Sequence, residues 1–196
     1  PETYAEWRGD LRDALRAEGV DPDTVDVRLA GSASDGFSGP HKPGWRASDE
    51  RIADNPDAQA RLSEWLGDDP ERLGSRPFDS GYRLGVDKPS DYDVNISSDD
   101  LVARARDAWE DSGRRGDFLE GSHEYVNKRV AEAAFPHMKS WAVEWGERLA
   151  PTEGEEREVS WAIFPASGPK DVSETGFLVH FRDDHDWIIN RPTEGS

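Results

Sequence analysis

The chain has 196 residues, with 42 Asp and Glu against 24 Lys and Arg for a formal net charge of −18, and it is long enough for one globular domain with a real core. The lack of cysteine excludes disulfides and Cys-ligated zinc, no apolar run approaches a membrane span, and the acid excess leaves phosphate binding to local basic surface alone. Eight Trp and a hydrophobic share of 34% exclude a disordered acidic tail.

Only five of the basic residues are Lys, namely Lys42, Lys88, Lys128, Lys139 and Lys170, and the rest are Arg. That bias with abundant Asp fits a halophilic source and equally a high-GC genome, and self-repulsion at low salt follows from either. The chain starts at Pro1 with no charged-then-apolar leader, which predicts a soluble segment processed or excised from something longer.

In chain order, "ETYAEWRGDLRDALRAEG" sets Tyr4, Trp7, Leu11, Ala14 and Leu15 at helical spacing, with Gly19 as the stop, and predicts a helix. "DPDTVDVRLAGSAS" alternates Val25, Val27 and Leu29 against Asp26 and Arg28 and predicts a strand ending at Gly31. "GSASDGFSGPHKPGW" reads as a loop. Residues 48–73 carry helix caps at Ser48 or Asp54 and a stop at Gly67, which predicts an insertion of two short helices. "RPFDSGYRLGVDKP" is a turn-rich approach to the strand "DYDVNIS", and the helix "DDLVARARDAWEDSG" follows with Asp99 and Asp100 at the positive end of its dipole.

"SHEYVNKRVAEAAFPHMKSWAVEWGERLA" sets Val126, Val130, Phe135, Met138, Trp141 and Trp145 near helical spacing, and Pro136 inside the pattern makes it one kinked helix or two. "EREVSWAIF" and "ETGFLVHFRDD" read as strands, and 191–196 as a disordered tail. No internal repeat is present, and the order predicts a single α+β or mixed α/β domain over 1–190.

The stretch "KPSDYDVNISSDD" carries the chemistry. Alternate residues of a strand point the same way, so Asp91 and Asp93 project together while Tyr92 and Val94 face the other side. Two adjacent carboxylates repel unless a cation sits between them. Glu158 falls on one face with Ser160 and Ala162, opposite Val159, Trp161 and Ile163. Trp141 and Trp145 at helical spacing suit a core better than a base-stacking pair, and "HFRDDHDW" has a metal-binding composition in His180, Asp183, Asp184, His185 and Asp186 without a recognised ligand spacing.

A strand ending in Gly31 and Ser32, followed by Asp-x-Asp on a second strand, resembles the signature of the nucleotidyltransferase superfamily, the DNA polymerase β-like fold. "VRLAGSASDGFSG", "RPFDSGYRLGVDKPSDYDVNISSDDLVARARD" and "REVSWAIF" resemble successive blocks of the nucleotidyltransferase-like domains at the C-termini of bacterial polymorphic toxins. The segment between Gly31 and Asp91 departs from that pattern in length, through the 48–73 insertion.

The resemblance implies a nucleotidyltransferase-like mixed sheet flanked by helices, with the helical insertion between the first two core strands. It implies that Gly31, Ser32 and Ser34 close over the phosphates of an NTP substrate, and that Asp91 and Asp93 hold Mg²⁺ or Mn²⁺. Mg²⁺ prefers carboxylate and phosphate oxygens, and two such ions about 4 Å apart clamp the oxygens of an in-line displacement. Glu158 is the candidate third carboxylate, as general base or second-metal ligand, with Asp171 as its rival and an exposed structural glutamate as the other reading. Lys42, with His41 and Arg46, offers positive charge to the triphosphate. Asp79 coincides with the family's Phe-Asp block, and turn capping is its plain role.

The activity so implied moves a nucleotidyl group to a hydroxyl on a tRNA end or on a protein side chain. As a toxin domain it would act in the cytoplasm, be delivered within a larger toxin, and have an antitoxin or immunity protein as partner, with no membrane partner. RNA would need a local basic patch such as Arg114, Arg115, Lys128 and Arg129. The alternative is a catalytically inert nucleotidyltransferase-fold binding module; a nuclease or hydrolase built on His180 and His185 comes last.

Overall fold

A computed structural model of the chain describes residues 2–37, 42–67, 74–169, 171–172, 178–179 and 186–192. Helix α1, Glu2–Ala17, buries Trp7, Leu11 and Leu15, the stripe its spacing predicts. A 3₁₀ turn at Pro22–Thr24, capped by the Asp21 side chain, leads into strand β1, Asp26–Ala30. A one-turn helix α2, Ser32–Asp35, follows Gly31.

Among the described residues, three helices follow before the second strand: α3 (Glu50–Ala53), α4 (Pro56–Leu66) and α5 (Ser80–Leu84). The first two are the expected insertion helices, while α5 lies where the sequence predicted only turns. Trp45, Ile52, Ala58, Leu62, Leu66 and Leu84 form a small core of their own here. Trp45 donates its indole N–H to Ser80 Oγ at 2.8 Å and carries the Arg76 guanidinium on its ring face at 3.7 Å.

Strand β2, Tyr92–Ser97, precedes helix α6, Asp99–Asp111, whose N-cap Ser98 accepts from the Leu101 N–H. A hairpin of β3 (Leu119–Glu120) and β4 (Tyr125–Val126) comes next, so Val126 belongs to a strand and not to the helix the sequence predicted from 122 onward. Pro136 resolves the kink into two helices, α7 (Lys128–Ala134) and α8 (Pro136–Arg148), because the ring sits at the first turn of the second. Strand β5 is Val159–Phe164. The strand expected over 174–184 is described only at Leu178–Val179 (β7), which pairs with Asp171–Val172 (β6) outside the main sheet. Strand β8, Trp187–Asn190, was not foreseen. Residues 193–196 of the expected tail lie outside the described residues.

The main sheet has the order β5-β2-β1-β8 and is mixed: β1 runs antiparallel to both β2 and β8, and β2 runs parallel to β5. The chain is therefore α+β with a four-stranded mixed sheet, and helices α2 to α5 lie between β1 and β2. Val27, Val94, Ile96, Val159 and Ile163 on one sheet face are buried with Leu11, Leu15, Leu101, Phe135, Met138 and Trp145 from the helices. The opposite face carries Ala30, Asp93, Asn95, Ser160 and Ala162 in register across three strands. That unequal alternation, apolar toward the helices and small or polar on the other side, is what positions the site.

Candidate active site

Pairing places Asp93 opposite Ala30 on β1 and opposite Ser160 on β5. The Tyr92 N–H donates to the Glu158 carbonyl at 2.9 Å, so Asp91 and Glu158 stand abreast at the entrances of two parallel strands. The predicted carboxylate pair and its third partner thus come to one end of the sheet from segments far apart in the chain.

Gly31 turns the end of β1 toward the same place. Its φ of 67° and ψ of −153° belong to a region that only glycine occupies readily. A Cβ here would stand 3.3 Å from Asp93 Oδ2. Ser32 opens α2 and its carbonyl accepts from the Gly36 N–H, while Ser34 Oγ donates to the Gly31 carbonyl at 3.3 Å. The Gly-Ser turn and the Asp-x-Asp strand, predicted separately, are direct neighbours.

Burial first, then the negative charges of Asp91 and Glu158, push the Asp93 carboxyl up to about 6, with Lys42 acting in the opposite sense. Among the described residues Asp93 makes no ion pair. A half-buried carboxylate with two like charges beside it is a donor that a divalent cation would relieve, and so Asp91 and Asp93 fit the metal that the resemblance implies.

Glu158 is differently placed. Its Oε2 accepts from Lys88 Nζ at 3.2 Å and its Oε1 from Lys128 Nζ at 3.2 Å. These two hydrogen bonds, Lys88 first, hold its carboxyl below the usual glutamate range, and the same contact raises Lys88. Among the described residues no three His, Cys, Asp or Glu side chains converge on one metal position. The Glu158 charge reaches Asp93, while its oxygens are occupied by ammonium groups.

Behind the carboxylates lies a pair that the sequence did not reveal. Arg157 grips Asp79 with two parallel bonds, Nη1 to Oδ1 at 2.9 Å and Nη2 to Oδ2 at 2.6 Å. Asp79 also takes the Ser90 N–H at 2.9 Å and gives its own N–H to Ser90 Oγ at 3.0 Å. Arg157 further donates to the Leu149 and Ser90 carbonyls. Burial pushes the Asp79 carboxyl up, but the Arg157 and Ser90 hydrogen bonds outweigh it and leave the group below its ordinary value. Asp79 is thus a clasp between the Phe-Asp block and the entrances of β2 and β5, and more than the turn cap it was expected to be. The only local signal was an Arg inside the acidic run "EGEEREV".

Two hollows meet at this end of the sheet. A cleft of about 480 Å³ over the polar face is lined by Gly31, Asp93, Asn95, Tyr125, Lys128 and Ser160 among others. A groove of about 390 Å³ runs beside β5 and α8, lined by Lys88, Lys128, Lys139, Arg157 and Glu158. Lys128 borders both, and Asn95 and Tyr125 are cleft residues that sequence reasoning passed over.

The remaining candidates separate. Trp141 and Trp145 are core residues, 4% and 0% exposed. Asp171 enters β6, outside the main sheet. Arg115, Lys128 and Arg129 line one hollow, while Arg114 pairs with Glu110 at 2.9 Å. His41, His180, Asp183, Asp184 and His185 lie outside the described residues. Among the described residues no helix is long and apolar enough to cross a membrane. The chain matches no protein-family profile, no curated protein and no solved structure.

Proposed function

We propose that the chain is a metal-dependent nucleotidyltransferase with a nucleotidyltransferase-like fold. The observation that carries this reading is the meeting of Gly31 with the Asp93 carboxylate, 3.3 Å from where a Cβ would sit, beside Asp91 and at the end of a mixed sheet. In the reaction, an acceptor hydroxyl oxygen attacks the α-phosphorus of an NTP. The bond from that phosphorus to the β-phosphate oxygen breaks, pyrophosphate leaves, and the hydroxyl proton passes to a base.

Asp91 and Asp93 would hold Mg²⁺ or Mn²⁺, which supplies charge neutralisation at the phosphates when bound. Gly31 keeps the turn free of side-chain bulk so that a phosphate can approach the backbone, with Ser32 and Ser34 adjacent and Lys42 contributing positive charge. The cleft is of a size that suits a nucleotide. An acceptor on tRNA or on protein, a role as a toxin acting in the cytoplasm, and an antitoxin or immunity partner belong to this same reading.

The test is incubation with each α-labelled NTP, Mg²⁺ or Mn²⁺ and a whole-cell extract, comparing wild type with Asp91→Ala/Asp93→Ala. Label on RNA or protein with wild type alone supports transfer and identifies the acceptor class. No label at any salt concentration sinks it. One observation favours a second reading, a catalytically inert binding module of the same fold: both oxygens of Glu158 are engaged by lysines. Nucleotide binding without transfer would select that reading.

A further inference from the structure

We propose that Lys88 and Lys128 form a phosphate-binding site that Glu158 fills, in the free chain, as an internal anion. The inference rests on the nucleotidyl-transfer reading for the source of the phosphate, and not for the site itself.

The geometry is that of a bound anion. One ammonium sits 3.2 Å from each oxygen of a single carboxylate, and the two lysines come from positions 70 and 30 residues away in sequence. A phosphate presents two oxygens at much the same spacing, which is why carboxylates and phosphates share cationic partners. Both lysines are more than half exposed, at 68% and 57%, so a solute can reach them. Exposed carboxylate–ammonium pairs hold weakly, and a phosphate brings about two charges where the carboxylate brings one. Exchange of one anion for the other therefore favours the phosphate.

The distribution of lysine supports the same conclusion. A chain of net charge −18 has only five lysines, and Lys88, Lys128 and Lys139 line this one groove. Glutamates line it as well, and Lys139 is matched to one of them, Glu132, at 3.0 Å. Among the described residues Lys88 and Lys128 both form their ion pair with Glu158, while Asp91 and Asp87 add their charge near Lys88. Because Lys128 also borders the cleft that holds Asp93, a phosphate bound there lies at the margin of the carboxylate site. Its arrival would release Glu158 beside Asp91, to which it is already adjacent in register. The lysines thus hold the third carboxylate back until a phosphate takes its place.

The experiment is calorimetric titration without metal, at moderate salt, of wild type, Glu158→Gln and Lys88→Gln/Lys128→Gln. The probes are inorganic tripolyphosphate and a short single-stranded oligonucleotide, and circular dichroism verifies that each variant is folded. Removing the internal anion is expected to tighten binding by about threefold or more, the equivalent of one or two exposed ion pairs. Removing both lysines is expected to weaken it by about tenfold or more. A response confined to tripolyphosphate identifies the nucleotide tail as the source, and one confined to the oligonucleotide identifies an acceptor backbone. The proposal is overturned if Glu158→Gln binds neither probe more tightly than wild type, or if the double lysine variant binds as wild type does. A chain that binds phosphate in this pattern yet labels nothing would refute nucleotidyl transfer and leave the site standing.

Discussion

Asp93 sits where its charge is least welcome, and its titration is the sharpest test at the scale of one residue. Its folded value, about 6, lies above the ordinary 3.8. A raised carboxyl contributes stability that is complete below about pH 4 and lost as pH rises through about 6. At pH 7 the ionised group therefore works against the fold. Asp93→Asn should stabilise the metal-free protein there by about 1–2 kcal/mol, less than the full shift implies because the residue is only half-buried. The gain should vanish toward pH 4. Urea denaturation across pH 4 to 8 measures it, and an advantage independent of pH would rule out the electrostatic cause. Gly31→Ala should act in the opposite direction. The substitution forces a side chain into a glycine-only conformation and against Asp93 Oδ2, at about 1–3 kcal/mol.

At the scale of elements, the clasp decides whether the carboxylate-bearing strands begin in the right places. Arg157 and Asp79 are 5% and 13% exposed. Asp79→Ala strands a buried guanidinium and should destabilise by about 3–5 kcal/mol, while Asp79→Ala/Arg157→Met should recover part of that loss. Equal stability of the single and double variants would show that the stranded guanidinium carries no burial cost of its own. The lowered value of Asp79 gives a second signature: its contribution is present above the ordinary 3.8 and disappears as pH falls through the folded value. Helix α8 is held to the same segment by a close approach, since a Cβ at Gly146 would lie 2.5 Å from the Arg157 carbonyl oxygen. Gly146→Ala should therefore cost about 1–3 kcal/mol where a helical Gly→Ala exchange would otherwise stabilise. Thermal melts give the sign directly.

These elements also mark how far the sequence could be read. Period-two alternation exposed Asp91 and Asp93, and a strand stopping at Gly31 exposed the turn, because both signals are local. Pro136 announced the break between α7 and α8 for the same reason. The hairpin of β3 and β4 has strands of two residues, and β8 has four, too short for a periodic signal. The partners of Glu158 and Asp79 were hidden for a different reason. Lys88 lies 70 residues from Glu158, and Arg157 lies 78 from Asp79, so only the folded chain brings them together.

For the whole molecule the governing fact is a net charge of −18. Self-repulsion opposes the compact state, and salt shortens its reach from about 10 Å at 0.1 M to about 3 Å at 1 M. The melting temperature should therefore rise with NaCl over that range, with most of the rise coming early, as screening sets in. The Arg pairs pull the other way, but the exposed ones contribute little each and the buried Asp26–Arg28 and Asp79–Arg157 pairs are barely screened. Divalent cation separates general screening from a specific site. Mg²⁺ at a few millimolar adds little ionic strength, so any stabilisation beyond an NaCl control matched for ionic strength reports binding. That extra increment should be present at pH 7, shrink as pH falls through about 6 and Asp93 protonates, and be lost in Asp91→Ala/Asp93→Ala. An increment that survives in the double variant would place the cation elsewhere on the acidic surface and remove the metal from the proposed site.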